Sequence, residues 1–286
     1  MKLIECPRDA MQGLPEFIPT AKKIAYLNAL LQVGFATLDF GSFVSPKAIP
    51  QLRDTAEVLA GLDLTTTSTQ LLAIVANLRG AEAAAEHPKI SYLGFPLSVS
   101  ETFQLRNTNK TMAEAMAELG DIQNLCVQRG KTLVTYLSMG FGNPYGDPWS
   151  PEVVGEFTNA LAEMDIRIVA LSDTVGVSSP ALITPLFSQL IPAFPQVEFG
   201  AHLHTTPDTW REKVEAAYNA GCHRFDGAIG GIGGCPMATD TLTGNMPTEN
   251  LVAYFEDRGV ALNLDKLAFA EARSVASKVF HLSPVS

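Results

Sequence analysis

Nowhere in the 286 residues is there an unbroken apolar run of about eighteen or more, so no membrane-spanning helix is expected. The start, Met1-Lys2-Leu3-Ile4-Glu5, lacks the long apolar region of a signal peptide, and a cytoplasmic protein is the expectation. Positive charge is scarce and unclustered: 20 Lys and Arg stand against 30 Asp and Glu. That excludes a general nucleic-acid surface, and an anionic ligand would need a local basic pocket. The four cysteines, at 6, 126, 222 and 235, show no Cys-x-x-Cys spacing, which disfavours a zinc ribbon or a thioredoxin-like site and suits a reducing compartment. Cys126 and Cys222 lie in apolar patterns and are expected to fill core. The first strand-helix turn has no Gly-x-Gly-x-x-Gly, which argues against a dinucleotide-binding open sheet.

What is present concentrates between His202 and Glu249. His202-Leu203-His204 follows Val197-Glu198-Phe199-Gly200-Ala201, which has the composition of a strand. Residues two apart on a strand point to one face, so two imidazoles leave the backbone side by side. They could ligate a divalent metal, or be a hydrogen-bonded pair with no metal; the motif alone leaves both open. A glycine-rich run, Gly230 to Pro236, and Gly244-Asn245 with Glu249 come next. Oxygen ligands from Asn245, Glu249 or an aspartate elsewhere would harden the set toward magnesium or manganese.

With 47% hydrophobic and 17% charged residues, the chain can fill one large core or two small ones. Hydrophobic periodicity predicts alternating strands and helices. The strands are expected at Leu3–Cys6, Phe35–Phe40, Leu64–Ser68, Ile90–Leu97, Thr132–Met139, Ile166–Leu171, the His202 segment and His223–Asp226. The helices are expected from about Thr20 to Val33, before Leu59, Gln70 to Glu86, Thr111 to Arg129, near Pro151, Pro180 to Leu190, Pro207 to Asn219 and Thr248 to Asp257. Pro7 to Gly13 and Ser98 to Asn109 are expected as polar loops. Eight such units suit a closed parallel (β/α)8 TIM barrel, with the active site at the carboxyl ends of the strands. The barrel is expected over residues 1–262, with a helical extension, 263–286, packed on it.

In a closed barrel, Asp9 after the first strand, the two histidines and Asn245 can meet around one ion with room for substrate oxygens. Arg8 beside them could stabilise an enolate. Asp39 and Asp173, at other strand ends, could join the site, or could only orient an arginine or cap a helix.

These residues sit in segments that together resemble the hydroxymethylglutaryl-CoA lyase family, over nearly the whole chain and in order: Pro7-Arg8-Asp9, Ser42-Phe43-Val44-Ser45-Pro46-Lys47, Ser100-Glu101-Thr102-Phe103, Asp173-Thr174-Val175-Gly176, His202-Leu203-His204, Gly233-Gly234-Cys235-Pro236, Gly244-Asn245 and Thr248-Glu249. The resemblance implies a metal-dependent lyase on a TIM barrel. It implies Mg²⁺ or Mn²⁺ held by Asp9, His202, His204 and Asn245. It implies catalytic roles for Arg8, Asp9, His202, Cys235 and Glu249, with substrate contacts from Gln12, Asp39, Ser42, Asn107, Asp173 and Thr174.

The implied reaction is retro-Claisen cleavage of a 3-hydroxy-3-methylglutaryl thioester to acetyl-CoA and acetoacetate. The implied partner is a small acyl-CoA, with neither nucleic acid nor membrane; homodimer formation is left open. The chain departs from the family pattern at Asp39, where glutamate is usual, at Thr205-Thr206, where an aspartate is usual, at Ala170, and in the loop from Cys235 to Asn245. These departures bear on substrate identity, so another 3-hydroxyacyl-CoA or a 2-oxo acid remains an alternative, as does a barrel that binds acyl-CoA without catalysis. Condensing relatives usually carry extra carboxyl-terminal regions, and a chain ending soon after the barrel favours cleavage.

Overall fold

Alternating apolar positions drive eight strands to pair in parallel. A computed structural model, describing residues 1–234 and 243–281, shows them closed into a barrel. In chain order the barrel strands are Lys2–Glu5, Thr37–Ser42, Gln70–Ile74, Ile90–Ser98, Thr132–Ser138, Ile168–Ser172, Glu198–His202 and Arg224–Gly227. The first pairs with both the second and the eighth, so no sheet edge is left open. Most of the apolar core lies between strands and outer helices, where Leu38, Phe40, Leu93 and Phe225 point outward. A smaller cluster of Leu72, Ile74, Val134, Tyr136, Ile168 and Ala170 fills part of the barrel interior.

Several elements differ from the expectations. The third strand is Gln70–Ile74, not Leu64–Ser68, and its helix is Leu78–Ala85. The threonines before it satisfy their polarity locally: Asp63 accepts from the Thr65 amide and hydroxyl, and Thr67 Oγ1 accepts from the Thr69 amide. That turn chemistry outweighs their β-branched preference, whereas Leu71 to Val75 is an apolar run buried on both faces. The second strand runs to Ser42, so Asp39 lies within it and does not end it. The stretch after it holds a 3-10 turn, Pro50–Leu52, and a six-residue helix, Thr55–Ala60.

Both expected polar loops contain helices. Pro7–Gln12 is a short helix with proline in its first turn, where a missing N–H costs nothing. Glu101–Thr108 is a helix whose N-cap, Ser100, accepts from the Phe103 amide, and it stops at Asn109 in the left-handed region, φ 56°.

The histidine segment is also divided. The seventh strand ends at His202, and His204–Thr205 forms a separate antiparallel pair with Gly244–Asn245, setting Asn245 opposite His204. The carboxyl-terminal helix, Lys266–Phe280, packs on the helix Thr20–Leu31, with Tyr26 and Phe280 edge-to-face at 5.6 Å. No helix among the described residues is long and apolar enough to cross a membrane.

Candidate active site

The first strand runs straight into the Pro7–Gln12 helix, which brings Arg8, Asp9 and Gln12 together over the barrel mouth. Arg8 is gripped from two sides. Its Nε donates to both oxygens of Asp39, at 3.2 and 3.0 Å, and its Nη2 donates to Asp39 Oδ2 at 2.6 Å. Its Nη1 donates to Asp9 Oδ1 and to Gln12 Oε1, each at 2.9 Å. Burial alone would lower the guanidinium pKa, but Asp39 and then Asp9 more than offset it, and Arg8 is held charged. This planar fork between two carboxylates is geometry that only arginine supplies.

Asp9 collects charge-assisted bonds on both oxygens. Gln12 Nε2 joins Arg8 on Oδ1 at 2.9 Å, and Asn245 Nδ2 donates to Oδ2 at 2.7 Å. Burial would raise its pKa; Arg8, both imidazoles and Asn245 hold it below the ordinary value. His202 and His204 face it, with ring centroids 5.6 Å apart. One ligand atom each from Asp9, His202 and His204 lies within 4.8 Å of the others. Ligands around a single ion at about 2.1 Å are at most about 4 Å apart, so little adjustment is needed to close the set.

The donor chemistry also fits a divalent ion. Burial, and next the neighbouring His202, push His204 down to about 4, so at neutral pH its imidazole is uncharged with a lone pair free. His202 Nδ1 is engaged by Asp226 Oδ2 at 3.1 Å, which leaves Nε2 for the site. Although burial lowers the His202 pKa, the hydrogen bond and charge of Asp226, aided by Asp9, raise it overall. Asn245 has its Nδ2 committed to Asp9 and, at 2.8 Å, to the Ile232 carbonyl, so Oδ1 is its remaining ligand atom. One carboxylate, two imidazoles and an amide oxygen form a mixed set that magnesium or manganese accepts.

These groups open into a cavity of about 350 Å³ in which Arg8, Asp9, Gln12, His202 and His204 make the polar end. Asn107, from the Glu101–Thr108 helix, and Thr174 also line it. Thr174 Oγ1 is held by the Met139 amide at 2.9 Å.

Three expected substrate contacts do not reach this cavity. Asp39 is fully buried beneath Arg8 and orients it. Ser42 turns back to accept from the Val44 amide at 3.1 Å. Asp173 is locked into an ion pair with buried Lys213 at 2.8 Å and accepts from the Ser178 amide and hydroxyl. Glu249 does not line the cavity either; its carboxylate accepts from the Gly230 amide at 3.1 and 3.2 Å, beneath the glycine-rich turn. Cys235 lies outside the described residues.

Asp226 and Lys213 were not anticipated. Asp226 had a readable signal, a carboxylate at the carboxyl end of a barrel strand on the face opposite Phe225. Lys213 had none, because its partner Asp173 is 40 residues away in sequence.

Fold and site together define a (β/α)8 barrel enzyme with a buried His/Asp group able to hold a divalent ion at the carboxyl ends of its strands. Comparison with known proteins narrows this. Residues 3–276 match the family model HMGL-like. A hydroxymethylglutaryl-CoA lyase of Bacillus subtilis is 36% identical over 266 residues, covering 92% of this chain and 88% of the relative. An (R)-citramalyl-CoA lyase of Chloroflexus aurantiacus is 30% identical over 275 residues, covering 93% and 86%. The solved structure of an HMG-CoA lyase from Acinetobacter baumannii, in complex with coenzyme A and 3-methylmalate, superposes with a TM-score of 0.90 at 30% identity, covering 100% of this chain and 98% of that one. The chain belongs to the HMGL-like family and, as a member, is a lyase.

Proposed function

We propose that the protein cleaves 3-hydroxy-3-methylglutaryl-CoA to acetyl-CoA and acetoacetate with Mg²⁺ or Mn²⁺ as cofactor. The observation that carries this reading is the convergence of Arg8, Asp9, His202 and His204 at one end of the cavity, in a chain similar to lyases of that substrate. Asp9, His202, His204 and Asn245 would hold the metal, which when bound supplies Lewis-acid polarisation of the substrate's oxygens.

The protein's own groups carry the proton and charge movements. The tertiary hydroxyl gives its proton to Asp9 at the polar end of the cavity; His202, with Nδ1 engaged by Asp226 and Nε2 assigned to the metal, keeps no lone pair to take it and serves as a ligand. As the carbonyl of acetoacetate forms, the adjoining carbon-carbon bond breaks, and its electron pair becomes the enolate of the acetyl thioester. Arg8, held charged and immobile by Asp39, Asp9 and Gln12, faces the enolate oxygen. A proton returned to the enolate carbon completes acetyl-CoA, and Cys235 on the glycine-rich loop is the proposed donor. Gln12, Asn107 and Thr174 orient the substrate from the cavity wall. Glu249 supports the loop at Gly230 instead of entering the cavity.

The similarity to a citramalyl-CoA lyase supports a second substrate, another 3-hydroxyacyl-CoA cleaved on the same machinery. One experiment separates the two. Metal-stripped protein is given each thioester with and without Mg²⁺ or Mn²⁺, and the released acids are identified. Metal-restored acetoacetate release carries the first reading; cleavage of citramalyl-CoA alone carries the second, and cleavage of neither overturns both.

A further inference from the structure

Below the polar end of the cavity, the barrel interior holds a second group of polar side chains that the cleavage reaction does not use. Register builds it. Tyr136 pairs with Ala170 and Ala170 with Gly200, while the Ala201–Phe225 pairing sets Gly200 beside Arg224. The two middle positions of this row carry a methyl group and nothing, so room is left between the outer two. Arg224 enters it: a Cβ on Gly200 would lie 3.0 Å from Arg224 Cδ. One step up the same strands, Ser172 pairs with His202, and Asp226 is the neighbour that holds the His202 ring.

Arg224 is 2% exposed and makes one weak side-chain bond, from Nη1 to Glu198 Oε1 at 3.3 Å. Its Nε and Nη2 have no partner among the described residues, nor have Asp226 Oδ1 and the Tyr136 hydroxyl. The Tyr136 ring stands edge-on to His202 at 5.6 Å. Two orphan guanidinium donors, an orphan hydroxyl and an orphan carboxylate oxygen in one interior are complementary. Buried polar groups so placed are bridged by ordered water, which accepts from the donors and donates to the carboxylate. The charges are coupled as well: burial would lower the Arg224 pKa, but Asp226, then Tyr136 and Glu198, raise it.

We propose that Arg224 is a positioning residue: through a bound water it anchors the free oxygen of Asp226, and Asp226 thereby fixes the ring and the tautomer of His202. A carboxylate offers only acceptors, so the imidazole proton stays on Nδ1 and the lone pair of Nε2 points to the site. This deepens the proposed function by resting on His202 as a metal ligand, but the tautomer is readable without metal.

The test uses full-length protein and two readouts: ¹⁵N imidazole shifts of His202 in the metal-free state, and Mn²⁺ binding followed by the electron paramagnetic signal of the free ion. At a pH where the ring is neutral, the wild type is expected to show a single Nδ1–H tautomer. Asp226→Asn is expected to mix the tautomers and weaken Mn²⁺ binding about 10- to 100-fold. Arg224→Met should mix them too and weaken binding by a smaller factor, about three- to tenfold. Arg224→Lys, which keeps a charge and donors, should recover part of the loss; it also serves if Arg224→Met shows no cooperative melting transition.

In kinetics, kcat should fall with KM for the thioester little changed, a split that simple loosening of the barrel would not give. A folded Arg224→Met protein with wild-type imidazole shifts and wild-type Mn²⁺ affinity would overturn the proposal, as would a crystal structure with no water between Arg224 and Asp226. If the wild type binds no Mn²⁺ yet Arg224→Met still mixes the tautomers, the positioning role stands and the metal assignment fails.

Discussion

Asn245 donates to Asp9 across 2.7 Å, closing a contact between residues 236 apart in sequence. The reach comes from the antiparallel pair that sets Asn245 opposite His204, and from Gly233, where a Cβ would lie 2.6 Å from Asn245 Nδ2 and 2.8 Å from the Asp9 carbonyl. Only a glycine lets this loop, here at φ +96°, come down on the site. Asn245→Ala is expected to weaken Mn²⁺ binding at least about tenfold, because it removes both a ligand oxygen and the bond that orients Asp9. Titration of Mn²⁺ into metal-stripped protein checks this; an unchanged affinity would remove Asn245 from the ligand set.

Arg8→Lys should leave the metal bound and slow the reaction. Lysine keeps the charge but cannot hold both oxygens of Asp39 while reaching Asp9 and Gln12. Loss of a preorganised donor to a developing oxyanion costs about 10²- to 10³-fold in kcat. Asp39→Asn should slow it less, since it frees the guanidinium but keeps it. Steady-state kinetics on both variants decides, and a Lys variant as fast as wild type would exclude Arg8 from the enolate.

The pattern of strand-end polar residues made the barrel and the His202, His204, Asp9 and Arg8 cluster legible before the structure. Local pattern succeeds there because the four residues lie at or just past the carboxyl ends of two barrel strands, the first and the seventh, and closure brings those ends together. It fails where a side chain's environment depends on a distant partner. Asp173 has the position of a substrate ligand but meets Lys213, and Asp39 has a strand-end composition but spends its oxygens on Arg8. It also fails where polarity is satisfied within a turn, as at Thr65 and Thr67, so that β-branched residues form no strand.

The Asp173–Lys213 pair yields a stability prediction. Lys213 Nζ also donates to the His204 carbonyl at 2.8 Å, so it ties the sixth strand's loop to the His202–His204 segment. Lys213→Met would leave the Asp173 carboxylate buried and unpaired, a loss of about 3–5 kcal/mol. The double variant with Asp173→Asn should regain a good part of it, because no uncompensated charge remains. Urea unfolding of the single and double variants measures the difference; equal losses in both would show that the charge itself is not what matters.

Glu5 sets a pH limit on the fold. It lies on the outward face of the first strand, accepting from the Ile229 amide at 2.9 Å and from Thr248 Oγ1 at 2.5 Å, and so joins that strand to the glycine-rich turn and to the helix Thr248–Asp257. Burial pushes its carboxyl up to about 8, against the pull of those two bonds. The unfolded chain titrates near the ordinary 4.5, so between about 4.5 and 8 the folded protein keeps a proton that the unfolded chain releases. The folded state then binds more protons, and stability falls as pH rises through that window, by on the order of 5 kcal/mol in all. Glu5→Gln is neutral throughout and retains an acceptor for the Ile229 amide, so its stability should lack this slope. Wild type and variant should unfold at similar urea concentrations near pH 5, with the variant gaining as the pH approaches 8. A gap that stays constant across the range would mean that Glu5 does not carry the proton.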